Sequence, residues 1–293
     1  MKTAHPGPVD PIPTVIPTPP EYQFASATGH RTLWIVFVLM ALTSATLAGL
    51  SWKVPISRRL YHVLATTAAI IGTLSYFALA TGQGTTLRCT GVRDHHKHVP
   101  DTPAHAVCRA VPWARYVDWT LGTPPLLVAL CALAGVDGAR TLLAVAADLV
   151  FKLAGLFAAL GRERTPQRWG WYAIAWIAYL VVIWHVAVHG SRAVRGRGAG
   201  VSRTFGSLAL FALVLWTIYP IVWAIAGGAR RINVDSEILV YAVLDVLAKA
   251  GFGLWLVLSL RRVPDANIEL GGYWTNGFAS QGRIRIGDDD EGA

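Results

Sequence analysis

Two ionisable side chains, Asp245 and Lys249, interrupt an apolar run near the C-terminal end of the chain. Residues four positions apart lie one turn apart on the same face of a helix. One interpretation is a structural ion pair that lets a slightly polar helix tolerate its charges. The other is chemical, because a buried lysine loses its proton easily and can then form an imine with an aldehyde. Such an imine, once protonated, needs a carboxylate beside it, and Asp245 could serve.

More ionisable residues lie inside other apolar runs, where charges are costly and suggest a function. Arg115 and Asp118 share one run, and Asp118 could supply a second carboxylate for Lys249. Asp148 and Lys152 share another run and are again four residues apart. We expect the Lys152 ammonium either to pair with Asp148 or to reach toward the membrane interface.

The elements that must position these groups are long apolar segments. Hydrophobic residues make up 54% of the 293 residues, charged residues make up 15%, and the mean hydropathy is +0.44. A helix of about 20 apolar residues crosses a hydrocarbon layer of roughly 30 Å. The chain has such runs at 33–52, 60–82, 112–134, 139–160, 169–189, 205–227 and 236–260. The sequence therefore predicts an all-α membrane protein, a single seven-transmembrane-helix bundle.

The two ends of the chain differ from this hydrophobic middle. Residues 1–30 contain a proline-rich stretch and lack the apolar core of a signal peptide, so we expect a disordered tail. Residues 263–293 are polar and end in an acidic run, so we expect a second, flexible tail. The domain between them, 31–262, contains every ionisable residue discussed above.

The net charge of +9 indicates an affinity for anionic lipid head groups and identifies no other partner. Basic residues are scattered over the loops rather than clustered on one face, which argues against nucleic-acid binding. Their numbers on the two sides of the membrane are nearly equal, so the distribution of positive charge gives no orientation.

Three segments carry a resemblance to a known family. They are Arg-Tyr-Val-Asp-Trp-Thr-Leu-Gly-Thr-Pro at 115–124, Trp-Thr-Ile-Tyr-Pro-Ile-Val-Trp at 216–223 and Leu-Asp-Val-Leu-Ala-Lys-Ala-Gly-Phe-Gly at 244–253. Together they resemble the signatures of helices C, F and G of the microbial (type I) rhodopsins. The segments at 29–34 and 75–78 resemble the fungal branch. The resemblance covers roughly 30–262 and leaves out both tails.

The resemblance implies a cofactor and the residues that serve it. All-trans retinal is expected on Lys249 as a Schiff base, with Asp118 as primary counterion and first proton acceptor. Asp245 completes the counterion cluster, with Arg115 close by. Glu237 matches one acid of an extracellular proton-release group.

Further residues of the chromophore pocket follow from the same resemblance. The polyene is expected between the side chains of Trp119, Trp216 and Tyr219, because aromatic walls hold a rigid apolar chromophore. Trp223 is expected near the ring of retinal. Asp148 and Thr123 match a hydrogen bond between two helices of the family. The cofactor-binding set is completed by Tyr76 and Gly155, and no metal is expected in it.

Three positions depart from the pattern of proton pumps. Gly122 stands where pumps usually carry threonine, one turn after Asp118. Ala129 stands three turns after Asp118, at the position where pumps carry a carboxylic proton donor. The segment Gly-Gly-Ala at 227–229 lacks the second acid of the proton-release group, so early release of a proton is in doubt.

The loop at 83–111 contains a group of cysteines and histidines, namely Cys89, Cys108, His95, His96, His98 and His105. Such a group could bind zinc, but the spacing matches no regular zinc pattern. A disulfide between the two cysteines is the favoured interpretation, since both lie in one loop on the oxidising side. Cys131 lies within a span and is expected to be a small apolar residue.

Two functions remain open. The first is a slow, outward, light-driven proton pump, supported by the carboxylates and by Arg115. The second is a photosensor with a long-lived signalling state, which Ala129 favours because loss of a proton donor slows recovery. Lys249 argues against a relative that has lost retinal, and an acid at 118 argues against chloride pumping. We expect transport or sensing rather than enzymatic turnover.

The expected partners are retinal, the lipid bilayer and protons, with a possible homo-oligomer and a signalling partner of unknown identity. The location is expected to be the plasma membrane, with the N-terminus outside and the C-terminus in the cytoplasm.

Overall fold

The computed structural model describes residues 19–92, 105–162 and 165–268. Within these ranges, seven helices are long and apolar enough to cross a membrane. They are α1 (Ala27–Trp52), α2 (Leu60–Ala80), α3 (Trp113–Ala134), α4 (Gly138–Leu160), α5 (Pro166–Arg197), α6 (Ala199–Gly228) and α7 (Val234–Arg262). Each predicted span lies on one of these helices, and the differences are confined to the helix ends. The prediction of a seven-helix bundle is confirmed.

The helices pack as a bundle in which neighbours along the chain lie side by side and α7 closes against α1 and α2. The helices α3 and α7 bury larger shares of their residues than the other five. The outer surface is apolar, as lipid requires, and exposes large side chains such as Leu42, Leu74 and Ile177. The two most enclosed helices are therefore the ones that carry Arg115 and Asp118 on α3 and Asp245 and Lys249 on α7.

A small sheet forms where the sequence predicted only loop and tail. The strands β2 (Thr86–Val92) and β3 (His105–Val111) form an antiparallel hairpin, and β1 (Glu21–Gln23) runs parallel to β3. The prediction of a disordered tail through residue 30 is therefore wrong at its end, because β1 and the start of α1 lie there. The rest of the N-terminal tail prediction falls on residues 1–18, and most of the C-terminal one falls on 269–293. Both ranges lie outside the described residues.

The hairpin places Cys89 directly opposite Cys108, and the two are joined by a disulfide. The predicted pairing is confirmed. Among the described residues, no group of three or more His, Cys, Asp or Glu side chains could hold a metal ion. The histidines His95, His96 and His98 of the alternative zinc interpretation lie outside those residues. Cys131 is a buried free cysteine, as expected.

Helices α6 and α7, like α3 with its internal Pro124 and Pro125, depart from regular α geometry close to the centre of the bundle. The segment Val246–Gly251 of α7 is a π-helical turn, and it contains Lys249. Pro220 lies inside α6, where its carbonyl oxygen accepts a hydrogen bond from the Tyr172 hydroxyl at 3.0 Å. Both π turns and internal prolines interrupt the regular hydrogen-bond ladder of a helix, and π turns are frequent at functional sites.

Candidate functional site

Lys249 lies at the centre of the bundle between two carboxylates. Its Nζ is 3.0 Å from Oδ2 of Asp118 on α3 and 3.7 Å from Oδ1 of Asp245 on its own helix. All three side chains are at most 3% exposed. Buried charges are tolerated when they are paired, and here a single ammonium faces two carboxylates. The structure thus brings together the three residues that the sequence singled out first.

The two carboxylates have different surroundings. Asp245 accepts hydrogen bonds from the Tyr76 hydroxyl at 2.7 Å, the Tyr219 hydroxyl at 2.7 Å and the indole N–H of Trp119 at 3.0 Å. Three neutral donors stabilise and orient its negative charge. Asp118, by contrast, is bonded to Lys249 through Oδ2, while its Oδ1 has no hydrogen-bond partner in the described part of the chain. Of the two, Asp118 therefore has an oxygen available to take a proton.

Two glycines make room for the lysine side chain. A Cβ atom at Gly72 would lie 3.0 Å from Cδ of Lys249. A Cβ atom at Gly122 would lie 3.3 Å from Cε of Lys249 and 3.3 Å from Oδ1 of Asp118. Such distances are tighter than ordinary van der Waals contact, so any larger residue would press on the lysine or on the carboxylate. The glycine that departs from the pump pattern is thus part of the packing around Lys249.

A chain of charges leads from this centre toward the sheet. Glu237 pairs with Nη1 of Arg115 at 3.3 Å and with Nη2 of Arg109 at 2.7 Å. Arg109 also donates two hydrogen bonds to the carbonyl oxygen of Ile232, each at 3.2 Å. The guanidinium of Arg115 lies 4.5 Å from the centroid of the Tyr241 ring. Sequence reasoning counted Arg109 only as a loop residue, and its role becomes visible because β3 carries it to Glu237.

Two adjoining cavities extend from Lys249 into the bundle. The first is bordered by Thr123, Leu126, Trp216, Ala248 and Lys249, and the second by Tyr116, Phe151, Gly155, Tyr172, Ala175, Pro220 and Trp223. Trp119, Lys152 and Tyr219 border both. The predicted residues Trp119, Trp216, Tyr219, Trp223, Thr123 and Gly155 therefore share these walls. The Lys249 amine and these aromatic side chains are the groups that would hold an elongated apolar aldehyde.

The aromatic walls hold one another in fixed orientations. The rings of Trp119 and Tyr219 meet edge to face, with centroids 5.1 Å apart. Trp223 stacks on Tyr172 at 5.1 Å and donates a 2.8 Å hydrogen bond from its indole nitrogen to the Tyr116 hydroxyl. Edge-to-face and stacked pairs are the favoured arrangements of aromatic rings, so these contacts orient the walls around the cavities.

Two residues that were predicted to line the pocket, Tyr76 and Asp148, do not border either cavity. Tyr76 instead contacts the Asp245 carboxylate. The hydrogen bond expected between Thr123 and Asp148 is not formed, and Asp148 instead pairs with Nζ of Lys152 at 3.7 Å. The family pattern did not include a lysine one turn after Asp148. Here Lys152 occupies that position and forms an ion pair with the Asp148 carboxylate. Of the two interpretations of Lys152, pairing with Asp148 is the one observed.

On the other side of Lys249, toward the C-terminal end of α7, the interior is apolar. Ala129, Leu127 and Leu130 of α3 are fully buried, and Phe252 and Leu256 of α7 pack in the same core cluster. The buried carboxylates among the described residues are Asp118, Asp148 and Asp245, and none of them replaces a donor at 129.

Comparisons with known proteins agree with this arrangement. The family model described as bacteriorhodopsin-like protein matches residues 28–263. Opsin-1 of Neurospora crassa is 62% identical over 281 residues, covering 96% of this chain and 92% of that protein.

Two solved structures share the fold. The light-driven proton pump LR (Mac) from Leptosphaeria maculans is 49% identical, with a TM-score of 0.81 over 84% of this chain and 100% of that one. The light-driven proton pump CsR from Coccomyxa subellipsoidea is 32% identical, with a TM-score of 0.74 over 81% and 99% of the two chains. The chain therefore belongs to the bacteriorhodopsin-like family and is a microbial (type I) rhodopsin of the fungal branch, an integral membrane protein that binds all-trans retinal.

Proposed function

We propose that this rhodopsin is a slow light-driven proton pump that moves protons out of the cell. The observation that carries the proposal is the 3.0 Å contact between Nζ of Lys249 and Oδ2 of Asp118. A general acid–base pair has to lie within hydrogen-bond reach of the proton that it exchanges, and this pair does. The other oxygen of Asp118 is available to complete the transfer.

Lys249 is proposed to hold retinal, with Trp119, Trp216, Tyr219 and Trp223 as walls along the chromophore. Retinal bound there supplies light absorption and an isomerisation that changes the orientation and basicity of the Lys249 nitrogen. Asp118 then takes the proton from that nitrogen. Asp245 keeps its negative charge, because three hydrogen-bond donors stabilise it.

The route outward runs through the charges next to the sheet. Neutralising Asp118 removes a negative charge from the interior, so the guanidinium of Arg115 is drawn less strongly inward and more strongly toward Glu237. Glu237 is held by Arg115 and Arg109 together. We propose Glu237 as the group through which the proton leaves, with Arg109 bonded to it and no second acid at 227–229.

The orientation follows from this direction of transport. We propose that the sheet and the N-terminus face the exterior of the plasma membrane and that the C-terminus is cytoplasmic. The disulfide of the hairpin supports this orientation, because disulfides persist on the oxidising side of a membrane. We further propose that 31–262 is the retinal-binding domain and that the segments before and after it act as tails.

The name of each solved relative supports pumping, since both are described as light-driven proton pumps. One specific observation favours sensing instead. Ala129 is fully buried in apolar surroundings, so the cytoplasmic half has no carboxylic donor at the expected position. Slow recovery would let a signalling state accumulate.

The deciding experiment measures the pH of an unbuffered suspension of cells or vesicles that contain the protein, in the light and in the dark. A pump acidifies the outer medium of cells, and a protonophore abolishes the change. Asp118→Asn serves as the control that keeps retinal but loses the acceptor. A coloured native protein that moves no net protons would refute the pump and leave the sensor.

A further inference from the structure

Lys152 is a buried lysine that the proposed proton path does not use. Its side chain is 6% exposed, and Nζ lies 3.7 Å from Oδ1 of Asp148. Nζ also lies 4.1 Å from the centroid of the Phe151 ring, a distance typical of a cation facing an aromatic face. The site thus resembles the Lys249 centre in one respect, because each buried lysine has an aspartate four residues before it at the same distance.

Lys152 lies next to both cavities, where its charge can act on a bound chromophore. Lys249 borders the first cavity, Trp223 borders the second, and Lys152 borders both. Asp148 borders neither. A chromophore attached at Lys249 and extending through these cavities would pass the Lys152 ammonium, with the balancing carboxylate behind it.

The charge of the pair is incompletely matched by hydrogen bonds. The 3.7 Å separation is longer than a hydrogen bond, and Oδ2 of Asp148 has no hydrogen-bond partner among the residues that the structure describes. Because Lys152 borders both cavities and Asp148 borders neither, the carboxylate cancels the field of the ammonium only in part on the cavity side. In a low-dielectric interior, a unit charge acts strongly over several ångströms.

We propose that Lys152 is a residue that sets the colour of this rhodopsin, shifting its absorption to shorter wavelength. The proposal rests on the proposed attachment at Lys249. In the ground state, the positive charge of the chromophore is concentrated near the Lys249 nitrogen. Excitation moves that charge along the polyene away from the nitrogen, toward the Lys152 ammonium. Repulsion between like charges raises the energy of the excited state more than that of the ground state, so a larger photon energy is required.

The test is the absorption maximum of the retinal-loaded protein in a set of variants. Lys152→Met removes the ammonium at similar side-chain length, and Lys152→Gln does so with a polar group if the first variant fails to fold. Both are expected to absorb at longer wavelength, by on the order of 10 nm or more. Lys152→Arg keeps the charge and should stay near the native maximum. The matched control is Leu153→Met, the neighbouring residue, which is 41% exposed on the lipid side and should leave the maximum unchanged.

A second readout needs no light reaction and no retinal. When the ammonium is removed, the isolated buried Asp148 carboxylate should take a proton, since an unpaired buried charge is costly. Infrared spectra of the Lys152→Met apoprotein should therefore gain a protonated-carboxyl band, and the double variant Asp148→Asn/Lys152→Met should lose it. The absorption maximum of the loaded double variant should match that of Lys152→Met.

Two results would overturn the proposal. One is a maximum in Lys152→Met and Lys152→Gln that equals the native value or lies at shorter wavelength. The other is a native apoprotein that already shows a protonated-carboxyl band removed by Asp148→Asn, because the pair would then be neutral. Failure of the Lys249 assignment would look different, since the visible band itself would then survive Lys249→Ala.

Discussion

At the scale of single residues, the two carboxylates next to Lys249 are not equivalent. Asp245 is fixed by three donors from three other helices, whereas Asp118 touches the lysine and leaves one oxygen unbonded within the described structure. Hydrogen-bond donors stabilise the charged form of a carboxylate and fix its orientation. We therefore base the proposed roles, Asp118 as acceptor and Asp245 as lasting counterion, on this difference as well as on the distances to Lys249.

The first prediction concerns the attachment of retinal. Lys249→Ala should give a folded protein without visible absorbance after retinal is added, because imine formation needs a primary amine at this position. Circular dichroism checks that the helices remain, and absorption spectra check the colour. Lys152→Met, which removes the other lysine bordering the cavities, should remain coloured. A visible band that persists in Lys249→Ala would reject the attachment at this residue.

The second prediction concerns Asp118. Asp118→Asn, or protonation of Asp118 at low pH, should shift the absorption to longer wavelength by roughly 10 nm or more, because a negative charge next to the chromophore nitrogen is lost. An acid titration followed by absorption spectroscopy measures the shift. Glu237→Gln, which changes a carboxylate at the other end of Arg115, should shift the maximum much less. If the spectrum of Asp118→Asn equals the native one, Asp118 is not the counterion.

Sequence reasoning identified Lys249, Asp118, Asp245, Arg115 and Glu237 because charged residues within apolar runs are rare and conspicuous. It missed Arg109, because an arginine in a loop gives no signal until the partner strand is known. It also expected the wrong partner for Asp148, since the Lys152 ammonium lies one turn away on the same helix and pairs with the carboxylate.

At the scale of elements, the seven helices were predictable and the sheet was not. Long apolar runs specify membrane helices almost by length alone. The strands β2 and β3 are short, and the 12 residues between them are 93–104, outside the described residues. β1 has only three residues and pairs with a strand more than 80 positions later. Pairing of this kind depends on tertiary contacts, which no local pattern encodes.

The third prediction tests the hairpin. Mass spectrometry of unreduced peptides should find Cys89 linked to Cys108, while Cys131 stays a free thiol. The double variant Cys89→Ser/Cys108→Ser should lose roughly 3 kcal/mol of stability, because the cross-link closes a loop and limits the unfolded chain. The rate of colour loss at elevated temperature measures the effect, with Cys131→Ala as the control. Free thiols at both positions in the native protein would contradict the structure and revive the metal interpretation.

At the scale of the whole molecule, polar groups are unevenly distributed along the membrane normal. From Lys249 toward the sheet, the interior holds Asp118, Arg115, Glu237 and Arg109 in succession. From Lys249 toward the C-terminal end of α7, it holds mostly alanines, leucines and Phe252, with Tyr61 and His62 at the far end. A proton leaving the centre thus has charged groups along its way, whereas a proton arriving from the other side has few groups of suitable pKa to carry it.

The fourth prediction follows from that asymmetry. The state in which the Lys249 nitrogen lacks its proton should decay slowly in the native protein, and more slowly as pH rises. Ala129→Asp should speed the decay on the order of a hundredfold and flatten its pH dependence, because it supplies a positioned donor. Added azide, a diffusible proton carrier, should speed the native decay as well. Flash spectroscopy between pH 5 and 9 measures the rate.

A fast, pH-independent native decay would mean that another donor exists. At the end of the bundle opposite the sheet, His62 is a buried titratable side chain whose Nδ1 has no hydrogen-bond partner among the described residues. His62→Phe would then be the variant that slows recovery, whereas it should have little effect if the apolar half works without a relay.

The apolar half around Ala129 also has an electrical consequence. A voltage across the membrane falls mainly through the layer of lowest polarisability, and that layer lies between Lys249 and the side that we propose faces the cytoplasm. Moving one elementary charge through the full field takes about 2.3 kcal/mol per 100 mV, and most of this work should fall on the proton that reaches Lys249 from the cytoplasm. An interior-negative potential should therefore slow recovery much more than it slows the transfer to Asp118. The lifetime of the state in which the Lys249 nitrogen lacks its proton would therefore depend on the resting potential of the cell.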